Sequence, residues 1–151
     1  MLTRAQVSHR LKIAQKIPLL NGLSGDQVNR VMQSGIVRSV DAGNTLCESG
    51  DHSSAMWILL SGELCIRQDQ IVLAVVEPVE IVGEMGLITG LPRSATIRAE
   101  KDVVLLEIAK LRLEALMRND IDVERKLYRN MLRSLCGKLK AKQYPTDEEQ
   151  F

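Results

Sequence analysis

Between positions 83 and 96 the chain reads Gly-Glu-Met-Gly-Leu-Ile-Thr-Gly-Leu-Pro-Arg-Ser-Ala-Thr, a stretch that sets glycines, charges of both signs and small residues side by side. Arg93 carries a planar fork of N–H donors that matches two oxygens of a phosphate, and the small Ser94 and Ala95 leave their own backbone N–H groups open to the same anion. Gly83 and Gly86 permit close approach of a ligand to the backbone, and Met85 to Ile88 is long enough for one helical turn whose unbonded N–H groups favour negative charge. Glu84 does not fit a site made only for an anion, because a carboxylate repels a phosphate. A ribose hydroxyl resolves the conflict, since it needs an acceptor. An arginine for phosphate and a glutamate for a sugar hydroxyl describe a site for a nucleotide with one compact phosphate. Each charge-assisted hydrogen bond contributes about 1.5–3 kcal/mol, so loss of either side chain weakens binding roughly ten- to a hundred-fold or more.

The elements that must hold this stretch in place are legible as changes of period. Val7, Leu11 and Ala14 recur at helical spacing, followed by Ile17 and then Pro18, which ends a short first helix. Ser24 with Gln27 three residues on is a capping-box signature, Val28, Val31 and Met32 form the apolar face of a second helix, and Gly35 is placed to close it. From Ile36 to Ile108 the period shortens to about two, with turn signals at Asp41–Asn44, Ser49–Asp51, Ser61-Gly62, Gln68–Gln70, Pro78 and Lys101-Asp102, which leaves room for seven or eight short strands. Leu64 and Ile66 alternate with Glu63 and Arg67 as in a half-buried strand, whereas Val104 and Leu106 alternate less cleanly with Leu105 and Glu107. Trp57 reads as a core residue. Helical spacing returns at Leu111, Leu113, Leu116 and Met117, breaks at Asn119-Asp120, and continues from Ile121 to about Lys142. On that long helix Leu127, Tyr128, Met131, Leu132, Leu135 and Leu139 share one half and Lys126, Arg129, Arg133 and Lys140 lie opposite, a face wide enough for a homodimer or an effector protein. The expected organisation is one domain over 1–143, with a β core over 36–108, C-terminal helices over 110–142 and a disordered tail over 144–151.

Composition removes several classes of function. The 151 residues carry 20 Lys+Arg against 19 Asp+Glu, which argues against a whole-protein nucleic-acid or membrane field. The longest apolar runs, Ala55–Leu60 and Ile71–Val76, are six residues each, and the N-terminus lacks the continuous apolar region of a secretory signal, so a cytoplasmic location is expected. Cys47, Cys65 and Cys136 form no CxxC pair, and His9 and His52 stand far apart, so neither a disulfide framework nor a metal site is expected. No GxSxG elbow is present and neither histidine has an orienting partner, so no enzymatic activity and no cofactor are expected. Residues 124–143 hold seven Lys/Arg against one acid, but only nine residues follow Lys142, too few for a helix-turn-helix unit, so direct nucleic-acid binding is not expected.

The segment GEMGLITGLPRSATIRA resembles the phosphate-binding cassette of cyclic-nucleotide-binding domains: Gly-Glu, an apolar residue, a small residue, Leu, a variable loop, then Arg, a small residue and Ala. Upstream, LLNGLSGDQVNRV is similar to the family's leading helix, and ESGDHSSAMWILLSGEL to its Gly-Asp turn and following strand, so the likeness covers about residues 17–110. Val82 and Leu20 stand where the family often has aromatic residues, which affects packing rather than ligand contact. The resemblance implies an α+β fold, mainly β, in which a double-stranded β-helix jelly roll is flanked by N-terminal helices and a long C-terminal helix and binds cAMP or cGMP within the roll. It implies that Glu84 accepts from the ribose 2′-OH, that Arg93 pairs with the cyclic phosphate, and that the backbone at Gly83, Met85, Gly86, Ser94 and Ala95 lines the cradle. Residue 94 bears on the base, being often Ala in cAMP-selective kinase subunits and Thr in cGMP-selective proteins. The Ser here occurs in cAMP-responsive catabolite activators, which favours cAMP. The base would be capped from the last helix, near Arg125–Tyr128, with 121–142 closing over it. Two alternatives stay open: a domain of the same fold that docks proteins without nucleotide, and a sensor fragment of a transcription regulator lacking its DNA-binding domain.

Overall fold

The structure, a computed structural model, describes residues 3–5, 12 and 14–143. Val7 and Leu11 of the first helical pattern and the tail over 144–151 lie outside the described residues. Eight strands follow the alternating segments: β1 Gly35–Val40, β2 Thr45–Cys47, β3 Ala55–Ser61, β4 Leu64–Gln68, β5 Ile71–Val76, β6 Ile81–Val82, β7 Thr96–Ala99 and β8 Val103–Ala109. They form two four-stranded sheets, ordered β1-β8-β3-β6 and β2-β7-β4-β5, in which every pairing is antiparallel. Apart from the β4–β5 hairpin, neighbouring strands are distant in sequence, which is the winding of a jelly roll.

The two faces of the first sheet explain why β8 alternates poorly in sequence. Val103 and Leu105 point into the roll, in a core with Val40, Trp57, Leu59, Leu64, Val76, Ile97 and Ala99. Leu106 and Ile108 point the other way, into a second core with Val28, Val31, Leu113, Leu127 and Met131 from the helices. A strand covered on both faces has no polar side to reveal its period. The second sheet has no such outer cover, and Ile71, Val72 and Val75 of its edge strand β5 are exposed.

Among the described residues the helices with defined bounds that flank the roll are α1 Gly25–Gln33, α2 Glu84–Thr89, α3 Lys110–Asn119 and α4 Ile121–Gln143, with a 3-10 turn at Pro18–Leu20. Both halves of the capping box on α1 form: the Gln27 N–H donates to Ser24 Oγ at 3.2 Å and the Ser24 N–H to Gln27 Oε1 at 2.9 Å. Gly35 does not close this helix. Ser34 is its C-cap and Gly35 opens β1, where a Cβ would stand 2.8 Å from the Leu106 side chain, so glycine is needed there for packing. The break at Asp120 is itself a cap, since Asp120 Oδ1 accepts from the N–H groups of Asp122 at 3.1 Å and Val123 at 3.2 Å while its other oxygen pairs with Arg30 at 3.1 Å. α4 thus starts at a fixed point beside α1.

Val123, Leu127 and Met131 of α4 are buried against the Pro18–Leu20 turn and α3. Asn130, 4% exposed, donates from Nδ2 to the carbonyls of Leu19 and Asn21, joining α4 to the turn. The covered stripe is narrower than the apolar half read from sequence, because Leu132 at 61% and Leu139 at 55% remain exposed. Among the described residues no helix is long and apolar enough to cross a membrane.

Two predictions concern this anchorage. Asn130→Ala leaves two carbonyls without their donor and should destabilise the fold by about 2 kcal/mol, a fall in Tm on the order of 5 °C by thermal unfolding. The Asp122 carboxylate is held well below the usual range, first by the hydrogen bond from Gln27 and then by Lys126 and Arg125. Its folded value lies below its unfolded one, near 3.9, so its contribution is present above about pH 4 and is lost as the pH falls through the folded value. Tm measured from pH 6 down to pH 2.5 should therefore fall less in Asp122→Asn than in wild type.

Candidate functional site

The cassette begins where β6 ends. Gly83 has a φ of 88°, a left-handed turn that an L side chain rarely adopts, and it swings the chain from β6 into α2. The same position is crowded: a Cβ there would lie 2.8 Å from Arg93 Nη1 and 3.0 Å from Trp57 Cζ3. At Gly86 a Cβ would lie 2.1 Å from Ser53 Oγ, and Ser53 is buried and donates to the Leu91 carbonyl at 2.8 Å. The absent side chains at 83 and 86 therefore make room first for Arg93, Trp57 and Ser53 of the protein itself. Ser53 ties the middle of α2 to the loop that returns through Leu91 and Pro92.

Arg93 is fixed at its backbone by the Gly-Asp turn upstream. Its N–H donates to the Asp51 carbonyl and its carbonyl accepts from the Gly50 N–H, each at 2.8 Å, so the two loops clasp each other in both directions. The Ser49 N–H donates to Thr96 Oγ1 at 3.1 Å, one step further along. This clasp is the physical reason that the Gly-Asp turn and the arginine segment occur together in the sequence.

The Arg93 side chain runs inward and is 8% exposed. Nη1 donates to the Gly83 carbonyl at 3.1 Å and Nη2 to the Ala55 carbonyl, and the guanidinium carbon stands 4.5 Å from the centre of the Trp57 ring. Nε is buried with no hydrogen-bond partner among the described residues. Among those residues no carboxylate lies within ion-pair distance of this guanidinium. Burial pulls its pKa below the ordinary arginine value, opposed by the nearby Cys47, Asp51 and Glu84. Burial also pushes the Cys47 thiol up against the field of Arg93, so Cys47 remains a neutral part of the roll's inner wall. Two carbonyls and a π face hold the cation, and an N–H is left over. A buried donor left without a partner is uncommon, and an anion is the chemistry that would satisfy it.

Glu84 opens α2 and is 1% exposed. Its Oε1 is ion-paired with Lys138 Nζ from the last turns of α4, and the same ammonium donates to the Ile81 carbonyl at 3.2 Å. A carboxylate has about four acceptor positions on two oxygens, so the pair leaves capacity for a further donor. Met85 is exposed and Ser94 is exposed, while Ala95 is buried. The structure thus brings Gly83, Glu84, Gly86 and Arg93 together around Trp57 and Ser53, and sets Met85, Ser94 and Ala95 along the adjoining backbone.

The stretch expected to cap the base, Arg125–Tyr128, divides in the structure. Arg125 pairs with Asp122 at 2.9 Å at the surface, and Tyr128 lines a cavity of about 20 Å³ with Leu87, Ile88, Leu113, Met117 and Met131. Lys138, ten positions beyond Tyr128, is the α4 residue that reaches the Glu84 carboxylate; it stands two turns from Met131 on the apolar side of the helix, a position that the sequence reading leaves unmarked. Trp57 is the other residue of the site that the sequence leaves unmarked. Among the described residues no group of His, Cys, Asp and Glu is arranged to hold a metal.

This geometry has relatives. The chain is 28% identical over 127 residues to a cGMP-dependent protein kinase of Eimeria tenella, covering 83% of this chain and 12% of the kinase. It is 23% identical over 133 residues to the cAMP-dependent protein kinase type II regulatory subunit of Drosophila melanogaster, covering 88% of this chain and 35% of the subunit. It therefore spans about a third or less of the length of these relatives. The crystal structure of a cyclic nucleotide-binding domain from Methylobacillus flagellatus has the same fold, with a TM-score of 0.81, 23% identity and coverage of 96% of this chain and 84% of that one. The sequence profile of the cyclic nucleotide-binding domain matches residues 37–120, from β1 through the whole of α3, and with the cassette, its clasping turn and the roll all in their places the chain belongs to the cyclic nucleotide-binding domain family.

Proposed function

We propose that this chain is a non-enzymatic regulatory sensor that binds a cyclic nucleotide monophosphate, cAMP in preference to cGMP, and signals through α4. The observation that carries the reading is the buried Arg93 guanidinium, which among the described residues has no carboxylate in contact and an unspent N–H. Glu84 is balanced by Lys138, whereas among the described residues Arg93 has no carboxylate partner. A cyclic phosphodiester carries a single negative charge and matches it, whereas a phosphate monoester brings up to two at neutral pH. In this reading the phosphate takes Arg93, the ribose 2′-OH donates to Glu84, and the backbone at Gly83, Met85, Gly86, Ser94 and Ala95 lines the cradle. The preference for cAMP rests on Ser94 and on its resemblance to the catabolite activators.

The link to α4 is supported by two contacts of the cassette. Lys138 grips the buried carboxylate that the sugar would use, and Leu87 and Ile88 of α2 meet Tyr128 and Met131 at the small cavity. A ligand that prefers one placement of α2 must then bias the packing of α3 and α4. The exposed Leu132 and Leu139 give the moving helix an apolar surface, which supports a second copy of the chain or an effector protein as the receiver of the signal.

Calorimetric titration with cAMP, cGMP and a cyclic dinucleotide should show saturable binding, tightest for cAMP, with Arg93→Ala and Glu84→Ala each weakened roughly ten- to a hundred-fold. No heat from any of the three would hand the chain to the docking-module reading. Saturating cAMP should also change amide exchange over residues 132–143 in wild type, and Lys138→Met should abolish most of that change while leaving cAMP binding measurable. An unchanged exchange pattern in wild type would remove α4 as the output.

A further inference from the structure

The guanidinium at the centre of the site is stacked on Trp57, a residue that the phosphate-binding pattern does not include. Trp57 lies in β3, paired in register with Glu107 of β8 and Val82 of β6, one residue before the left-handed Gly83. Its ring is 4.5 Å from the Arg93 guanidinium carbon, within the range of a cation–π contact, and both side chains are more than nine-tenths buried. The ring cannot turn freely. Its indole N–H donates to Glu107 Oε1 at 2.9 Å, and Glu107 is in turn paired with Arg38 of β1 at 2.6 Å. On the cassette side the ring edge fills the space at Gly83, where any Cβ would strike it. Trp57 is thus braced by a three-strand chain of side chains on one side and by the cassette backbone on the other.

We propose that Trp57 is a positioning residue for anion recognition, serving as the fixed π platform that holds the Arg93 guanidinium in plane without neutralising it. The inference rests on the reading that Arg93 takes the phosphate. Its physical content is the difference between a π face and a carboxylate. A buried arginine ordinarily requires a carboxylate partner, and that partner would compete with a phosphate for the same N–H groups. An indole face stabilises the cation through its quadrupole, occupies none of the five donors, and fixes the plane of the fork. The Gly83 and Ala55 carbonyls accept one bond from each terminal nitrogen, so three of the five donors, Nε–H among them, remain for the ligand. Arg38 and Glu107 set the plane of the platform from outside the pocket.

Trp57 is the sole tryptophan of the chain, so tryptophan emission reports on this one ring. An anion that neutralises the charge over the ring changes the field on the indole. Titration of the full chain with cAMP should therefore shift or quench the emission along a saturating curve whose midpoint equals the calorimetric Kd, and Arg93→Ala should abolish the response. Trp57→Phe keeps a π face and should bind cAMP within about three-fold of wild type, while Trp57→Leu should lose roughly ten-fold, in line with about 0.5–2 kcal/mol for such a contact. In the Arg93→Ala background, Trp57→Leu should cost nothing further. Circular dichroism and thermal unfolding separate a folded Trp57→Leu from a collapsed one, and if it does not fold the emission titration decides. The proposal is overturned if emission is unchanged at calorimetric saturation, or if a folded Trp57→Leu binds as tightly as Trp57→Phe. Absence of cAMP heat in wild type would overturn the underlying reading of Arg93 instead.

Discussion

One constraint organises this molecule: a guanidinium taken out of water must be held, yet must not be neutralised. Free in solution, Arg93 would be fully hydrated. Inside the roll it exchanges that hydration for two carbonyls and an indole face, and burial lowers its hold on its proton as a result. Nearly everything around it serves that exchange. The Gly-Asp turn fixes the Arg93 backbone from one side, the left-handed turn at Gly83 presents a carbonyl from the other, and the register of β3 against β8 places Trp57 beside Glu107. The helices enter at one remove, through a lysine on the neighbouring carboxylate.

The two charged members of the cassette are treated differently. Glu84 is almost wholly buried and has a full ionic partner, while Arg93 is buried and has none among the described residues. A carboxylate balanced by an ammonium can still accept from a neutral hydroxyl, and that combination suits a sugar. An unbalanced guanidinium suits a phosphate. The chemical division of labour expected from the residue types thus has an electrostatic counterpart in how each is compensated by the rest of the chain.

How much of this could be read from the chain is decided by the distance over which each interaction acts. The capping box at Ser24 and Gln27 spans three residues and was legible, as was the cassette, whose meaning lies in residues close in sequence. The break at Asp120 was legible as a break, and its role as a cap follows from the same local chemistry. Gly35 misled because a glycine after a helix is a common stop, whereas the reason for it is Leu106 on the strand opposite. The Trp57–Arg93 stack joins residues 36 positions apart and the Lys138–Glu84 pair residues 54 apart. Neither names its partner locally: an apolar strand accommodates any large residue, and Lys138, though it stands on the apolar side of its helix two turns from Met131, does not say which carboxylate it meets. Only the winding of the sheets and the course of α4 bring them together.

That course has a mechanical side. α4 is pinned by Asn130 to the carbonyls of Leu19 and Asn21, Met131 packs beside Leu87 and Ile88 of the cassette helix, and further along the helix Lys138 holds the Glu84 carboxylate. The helix is in effect a rigid arm with its fulcrum close to the roll. At about 1.5 Å of rise per residue, a tilt of about 10° around Asn130 displaces Lys138 by roughly 2 Å and the far end at Gln143 by roughly 3 Å. A shift at the carboxylate small enough to pass for thermal motion would therefore leave the tip of the arm as a displacement that a bound neighbour could register.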